Sequence, residues 1–499
     1  MAATTVVREG AAAVSPEARS GLEPWTRAEL PEPPNPRGLR WLSVVGPGVI
    51  VLGASIGSGE FLLGPAVFVR HGLSLLWVTT VAVFLQTVFN TELMRYTIAT
   101  GEPIYTGFMR TRPSSSAWGS FYVILHLLQV GWPAFAANAA GAIFFLGARR
   151  LVGPSDTAAV YFIGVGTFLA CVAILLIGRR IERTLELLNW VLVSCILGAF
   201  IVLAGLFVGS GTWVAAAAGM FGFDVGSATF ELLPVGTDFF LLGALAAYSG
   251  SGGVGNITLS NWARDKGYGM GERVGHIAGA VGGENVPLAS TGFMFTPDTE
   301  GKRRWRGWWR IVRADQWGVF FIGAILGMAL PAVLYVTFLP RGSDIRGMGI
   351  SAALASAVGE RAGPILAGSI AFLGAWILFK TQLDNVEGMV RAITDVLWTG
   401  SRRVRAWRGG NVRAVYYTVL AVVALWGVVA LRLAQPIVLL QIGANIAGVV
   451  FVVASLHLLY VNTRLLPREL RPPWWRRIAL VGMALFYGFF VALSASTLR

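Results

Sequence analysis

Trp41–Gly72 reads WLSVVGPGVIVLGASIGSGEFLLGPAVFVRHG, an apolar stretch whose middle is occupied by Gly57-Ser58-Gly59-Glu60. About 20 consecutive apolar residues are enough to cross a bilayer as a helix, so small residues and a carboxylate at the centre need a reason. Helix interrupted at membrane depth is tolerated where its freed backbone groups line a cavity, and an ionisable group there marks a functional site by default. A second stretch repeats the pattern: Thr237–Ala263, TDFFLLGALAAYSGSGGVGNITLSNWA, is interrupted by Ser249-Gly250-Ser251-Gly252-Gly253. Two glycine-interrupted spans at corresponding places in two halves of a chain are the pattern of transporters built from inverted repeats, with the substrate held between them.

The composition agrees. With 55% hydrophobic and only 13% charged residues, 62 glycines among 499 residues and a mean hydropathy of +0.65, the chain is expected to be an all-α integral membrane protein rather than a soluble enzyme. Cys171 and Cys195 both fall inside apolar stretches, so neither a disulfide framework nor a thiolate metal cluster is indicated and they read as packing residues.

Eleven spans are predicted, at about 42–71, 75–100, 118–148, 157–178, 187–209, 237–263, 317–339, 364–386, 414–431, 436–461 and 478–498. Residues 1–40, polar and proline-rich, read as a disordered cytoplasmic tail. Residues 41–209 and 237–461 then form two five-span repeats, the second carrying an insertion at 264–316, and residues 478–498 form an eleventh span. With the N-terminus inside, 29 of the 40 Lys and Arg fall on cytoplasmic segments and 8 on the opposite side, which places the C-terminus outside in a multi-pass protein of the cell membrane. This asymmetry accounts for the net charge of +14 through anionic lipid, without nucleic acid.

Several polar residues fall within the spans. Glu92 and Arg95 are three apart, the spacing of a local ion pair. The third span carries His126, Gln129, Trp132 and Pro133, so a kink is expected there. His126 reads either as a proton relay or as a hydrogen-bonded link between helices. On the eighth span Lys380 and Asp384, and Glu387 and Arg391, are four apart and suit two stacked ion pairs. Gln441 and Asn445 share a face of the tenth span and either bridge helices or line the site. The loop 210–236 lacks basic residues and carries Asp224 and Glu231, as an outward-facing loop would. In the insertion, the glycine-rich start lacks the Gly-Lys-Ser/Thr of a phosphate loop, which excludes nucleotide binding. Its end, KRRWRGWWRIVR, suits a membrane-surface helix with Trp305, Trp308 and Trp309 at headgroup depth.

Gly46-Pro47-Gly48 opening the first span, Gly59 and Phe61 at its interruption, Ile98-Ala99-Thr100-Gly101 ending the second, the GRRIE turn at 178–182, and Asn462-Thr463-Arg464 closing the tenth together resemble the natural resistance-associated macrophage protein (Nramp) family of divalent-metal transporters, as a divergent member. The resemblance implies a leucine-transporter-like 5+5 inverted repeat with broken helices 1 and 6, transport of Mn²⁺, Fe²⁺ or related ions, proton coupling, and no resident cofactor beyond the metal cargo. The family's first-span Asp-Pro-Gly-Asn falls on Gly57, Ser58, Gly59 and Glu60, so the ligand aspartate is absent. Its sixth-span Met-Pro-His falls on Gly253-Val254-Gly255, so methionine and histidine are absent too. Asn256 matches an asparagine that follows that motif, Gly250 a carbonyl ligand, and Gln441 a tenth-span glutamine.

The candidate binding residues are therefore Gly57, Ser58, Gly59, Glu60, Ser249, Gly250, Gly253, Asn256, Gln441 and Asn445, with Glu60 and His126 as proton-pathway candidates. Oxygen donors without a thioether favour a hard, hydrated ion such as Mg²⁺ or Mn²⁺. A rival reading uses the same residues: Gly-Ser-Gly also resembles the amino-acid–polyamine–organocation transporters, with a small organic ion or amino acid as substrate. Glu60 is then an amine partner, or a cap on the helix that follows. A monomer in the bilayer is expected.

Overall fold

The structure is a computed structural model, and it describes residues 20–177, 181–277, 287–343, 345, 350–433 and 436–497, the side chains of Ser58 and Pro436 apart. The GRRIE turn up to Arg180, the tail before Ser20 and Arg499 lie outside the described residues.

Ten helices among these residues are long and apolar enough to cross a membrane: span 1 (Pro47–His71), span 2 (Leu73–Thr100), span 3 (Ser115–Ala148), span 4 (Pro154–Ile174), span 5 (Ile181–Phe207), span 7 (Thr299–Phe338), span 8 (Pro364–Gly400), span 9 (Val412–Ala430), span 10 (Ile437–Arg464) and span 11 (Trp474–Ser496). Span 6 is divided into half-helices 6a (Phe239–Tyr248) and 6b (Val254–Asp265), which makes eleven. Span 3 breaks at Gly131-Trp132-Pro133, because proline has no N–H to donate and its ring crowds the preceding turn.

Spans 7 and 8 are longer than the sequence suggests. At 40 and 37 residues they run about 60 and 55 Å, nearly twice the hydrocarbon thickness, so each projects well beyond it. The Trp/Arg-rich end of the insertion is thus the first part of span 7 rather than a separate surface helix. Two of its three tryptophans are also packed inside rather than spread on the bilayer surface. Trp305 and Trp308 are buried, and the Trp308 indole donates to the Pro31 carbonyl at 2.9 Å.

Pro31 belongs to residues 20–40, which are packed rather than disordered. Thr26–Arg27 pairs in parallel with Phe293–Met294 of the insertion, Trp25 is buried, and Arg303 and Arg304 bond Glu32. A short apolar-acidic segment had no visible partner in the sequence because that partner lies about 270 residues away. Beside it, Glu102 accepts from Arg110, Tyr96 and the Gly292 N–H. Burial would raise the Glu102 carboxyl, but the Arg110 guanidinium and these donors outweigh it and hold it below its usual range. That contribution to stability is present above the unfolded carboxylate pKa and is lost as pH falls through the folded one.

On the opposite side, the loop after span 5 forms a helix (Ser210–Gly219) and a two-stranded hairpin, Phe223–Asp224 with Thr229–Phe230. Asp224 lies 3.6 Å from Arg341 there. Cys171 is buried and Cys195 exposed, both unbridged.

Candidate functional site

The two glycine-rich interruptions meet, and they do so by different physics. In span 1 the chain does not unwind. Ile56–Leu63 forms a π-helical turn, in which the Gly64 N–H reaches back to the Gly59 carbonyl, and such widened turns are concentrated at functional sites. Gly57 and Gly59 keep ordinary helical backbone and serve by leaving space: a Cβ at Gly57 would overlap the Thr381 side chain, and one at Gly59 would overlap the Tyr248 carbonyl. In span 6 the helix does break. Gly250, Gly252 and Gly253 take φ of 125°, 69° and 46°, values that a side chain disfavours.

That break frees backbone groups which must find partners in a dry interior. Two glutamines supply them. Gln86 of span 2 donates to the Ser249 carbonyl at 2.9 Å and is 2.9 Å from the Tyr487 hydroxyl. Gln129 of span 3 donates to the Gly252 carbonyl at 2.9 Å and accepts from the Val254 N–H at 3.1 Å. Neither carries a signal of this role in the sequence, where an amide in an apolar span gives no partner information.

Glu60 sits in the π turn facing Gly327 of span 7. Its side chain is 0% exposed, and neither carboxylate oxygen has a hydrogen-bond partner among the described residues. Ser55 and Lys380 are the polar side chains nearest in effect; the Ser55 hydroxyl donates to the Leu52 carbonyl at 2.9 Å. Lys380 lies 3.1 Å from Asp384, one turn on, and Asn189 of span 5 donates to the same carboxylate at 3.1 Å. A side chain at Gly53 would overlap both the ammonium and the Asn189 amide.

The charged face continues down span 8. Residues 380, 384, 387, 391 and 395 recur at helical spacing and form one stripe against half-helix 6b. Arg391 bonds Glu387 and Asp265, Arg264 bonds Asp265 and Asp395 at 2.6 Å each, and Trp262 donates to Glu387 at 2.7 Å. Both ion pairs expected on span 8 are present. With Arg264 and Asp265 of 6b counted in, three basic side chains face four carboxyl groups along the stripe, which leaves it acidic. The sequence gives no sign that Asp265, Arg264 and Asp395 belong to it, because their pairing crosses from span 6 to span 8.

The other candidates divide. Ser249 and Gly250 lie at the break, the Ser249 hydroxyl donating to Leu245 at 2.7 Å. Asn256 donates to Asn90 of span 2 at 2.9 Å, its own oxygen unpartnered among the described residues. Gly253 leaves no room for a side-chain ligand: its φ is strained for any side chain, and a Cβ would press on Gln129 and Ala447. Asn445 donates to the Phe240 carbonyl in the first turn of 6a, two turns from the break, and is a helix bridge. Gln441, one turn before it, is buried with its amide nitrogen unpartnered among the described residues. His126 lies 3.1 Å from the Tyr105 hydroxyl and 3.5 Å from that of Thr258, so the reading of it as a link between helices fits. It also lines a small cavity with Ala54, Trp262, Asp384 and Gly388. Glu92 bonds Arg95 as expected, and Arg476 and Asn462 as well.

Among the described residues, no group of three or more His, Cys, Asp or Glu is placed to hold a metal ion. A metal here would be held by one carboxylate with carbonyl, amide or water oxygens.

We expect Gly59→Ala to abolish transport, because the added methyl has to displace the Tyr248 backbone. Initial uptake rates in proteoliposomes, with size-exclusion elution as the folding control, check this. Wild-type rates would move the site away from this junction.

No protein-family model matches the sequence, and no curated protein sequence matches it either. Solved structures do. A manganese transporter from Eremococcus coleocola superposes with a TM-score of 0.64 at 14% identity over 96% of this chain and 90% of that one. The same transporter in complex with an aromatic bis-isothiourea compound gives 0.63 at 14% over the same shares. A nucleobase-cation-symport-1 family transporter, closed around bromovinylhydantoin, gives 0.50 at 12% over 91% and 93%. At these identities the likeness shows the fold, the inverted-repeat transporter fold with a divided sixth helix.

Proposed function

We propose that this chain is a secondary-active transporter of a divalent metal ion of the Mn/Mg/Fe class, working by alternating access about the junction of spans 1 and 6. The observation that carries this is Glu60, a fully buried carboxylate whose oxygens find no hydrogen-bond partner among the described residues. An anion so placed is costly unless a cation or a proton balances it. The carbonyl end of half-helix 6a, next to Gly59, supplies the negative end of a helix dipole to the same cation.

Proton coupling follows from the same residue. Glu60 carries either the metal or a proton, and the acidic stripe on span 8 offers the exchanged cation a route past half-helix 6b. The manganese transporter with this fold supports a metal cargo; the oxygen-only donor set of this chain points to a hard, partly hydrated ion. Each chain holds a complete junction, so a monomer suffices.

A second reading is an organic cation or amino acid whose amine pairs with Glu60. The absence, among the described residues, of three clustered metal-ligating side chains favours it, and so does the fold shared with a nucleobase-cation symporter. Uptake of Mn²⁺ and Mg²⁺ by proteoliposomes, beside a panel of amino acids, decides between them: saturable divalent flux supports the first, and amino-acid flux without it the second.

The proposed orientation places the insertion inside and the C-terminus outside. A cysteine at Ser290→Cys should resist an impermeant thiol reagent on intact cells and react after permeabilisation. Labelling from outside would invert the topology.

A further inference from the structure

At the end of the bundle that the basic residues assign to the cytoplasm, spans 2, 7 and 11 surround a pocket of about 450 Å³ lined by Arg95, Arg313, Arg476, Trp309, Trp317 and Trp475. Its charge is unbalanced. Arg95 and Arg476 share one carboxylate, Glu92, at 2.7 and 2.9 Å, while Arg313 is exposed at the rim, so three guanidiniums face a single anion.

The aromatic residues fix these cations in place. The Arg95 and Arg476 guanidiniums lie 4.3 and 4.9 Å from the Trp309 ring centre, and Arg476 lies 4.6 Å from that of Trp475, distances at which cation–π attraction operates. Planar, weakly hydrated guanidiniums held this way are suited to phosphate oxygens. One wall of the pocket is apolar and leads along the span surface: Trp317 packs on Phe84 at 5.7 Å, and Phe84 is 41% exposed on the outside of the bundle. A free phosphate has no use for that wall. An acyl chain does.

We propose that this pocket binds the phosphate of an anionic phospholipid of the cytoplasmic leaflet, with the acyl chains running along Trp317 and Phe84. Basic pockets between spans at the cytoplasmic boundary are suited to such headgroups. The lipid would tie the start of span 7 to spans 2 and 11, and the inference does not depend on which ion is transported.

Native mass spectrometry of the purified full-length protein in detergent tests it, with phosphatidylglycerol, phosphatidylcholine and inorganic phosphate as probes. The variants are Arg313→Gln and Trp475→Ala, both at exposed positions without a bond to Glu92, with thermal melting as the folding control. Wild type should retain phosphatidylglycerol in preference to phosphatidylcholine, and Arg313→Gln should weaken that retention about fivefold, the worth of one basic residue at a membrane surface. Equal retention of the two lipids, or equal retention by wild type and Arg313→Gln, would overturn the proposal. Displacement of phosphatidylglycerol by millimolar inorganic phosphate would overturn the assignment to lipid.

Discussion

Glu60→Gln should reduce divalent-ion uptake by more than a hundredfold while leaving the protein folded. The substitution keeps the side-chain shape and one carbonyl oxygen and removes only the charge. In the described structure that charge has no hydrogen-bond partner, so the fold loses little when it is neutralised and avoids the desolvation of an anion. Cargo binding loses its only acidic ligand in the two interruptions. Removing one partner of a buried charge pair costs about 3–5 kcal/mol, which is more than a hundredfold in affinity. Initial Mn²⁺ and Mg²⁺ uptake in proteoliposomes measures the effect, and melting temperature measures the fold. A variant that melts at or above wild type and does not transport is the expected result. A variant that transports normally would reduce Glu60 to a residue of helix packing and remove the main support for a metal cargo.

Why Glu60 and the two interruptions were legible in the sequence, and much of their surroundings was not, has a physical explanation. A carboxylate and clustered glycines inside apolar stretches violate the local rule for a membrane helix, and such violations occur where function requires them. The form of each interruption was hidden. Gly59 and Gly252 look alike in the sequence, yet one is needed for the approach of Tyr248 and the other for its φ. Only the packing of span 1 on 6a distinguishes them. Gln86 and Gln129 were less legible, because their role is to satisfy backbone groups of a different span, and no spacing rule connects residue 86 to residue 249. The i,i+4 pairs on span 8 could be read because both partners lie on one helix; their continuation through Asp265 and Arg264 could not. Residues 20–40 looked like a free tail for the same reason, since Trp25 and Leu30 are buried by residues far along the chain.

Lys380 allows the electrostatics of the junction to be tested separately from the ligand. Its ammonium is buried, pairs with Asp384 at 3.1 Å and acts on Glu60 through space. Lys380→Met alone leaves Asp384 buried with only the Asn189 amide, and should destabilise the protein by about 3–5 kcal/mol, the cost of stranding one partner of a buried pair. Lys380→Met with Asp384→Asn removes both charges. Replacing a whole buried pair by neutral groups is often near neutral for stability, so the double variant should melt much closer to wild type than the single one. It should also hold cations better. A lysine near the only acidic ligand opposes a second cation there, and without it the Mn²⁺ concentration for half-maximal uptake should fall, while the maximal rate drops as release slows. Melting curves and uptake kinetics for the three proteins resolve these effects. A double variant with unchanged half-saturation would mean that Lys380 serves only the packing of span 8 against Gly53, and the opposing charge would have no part in setting how tightly the site holds its ion.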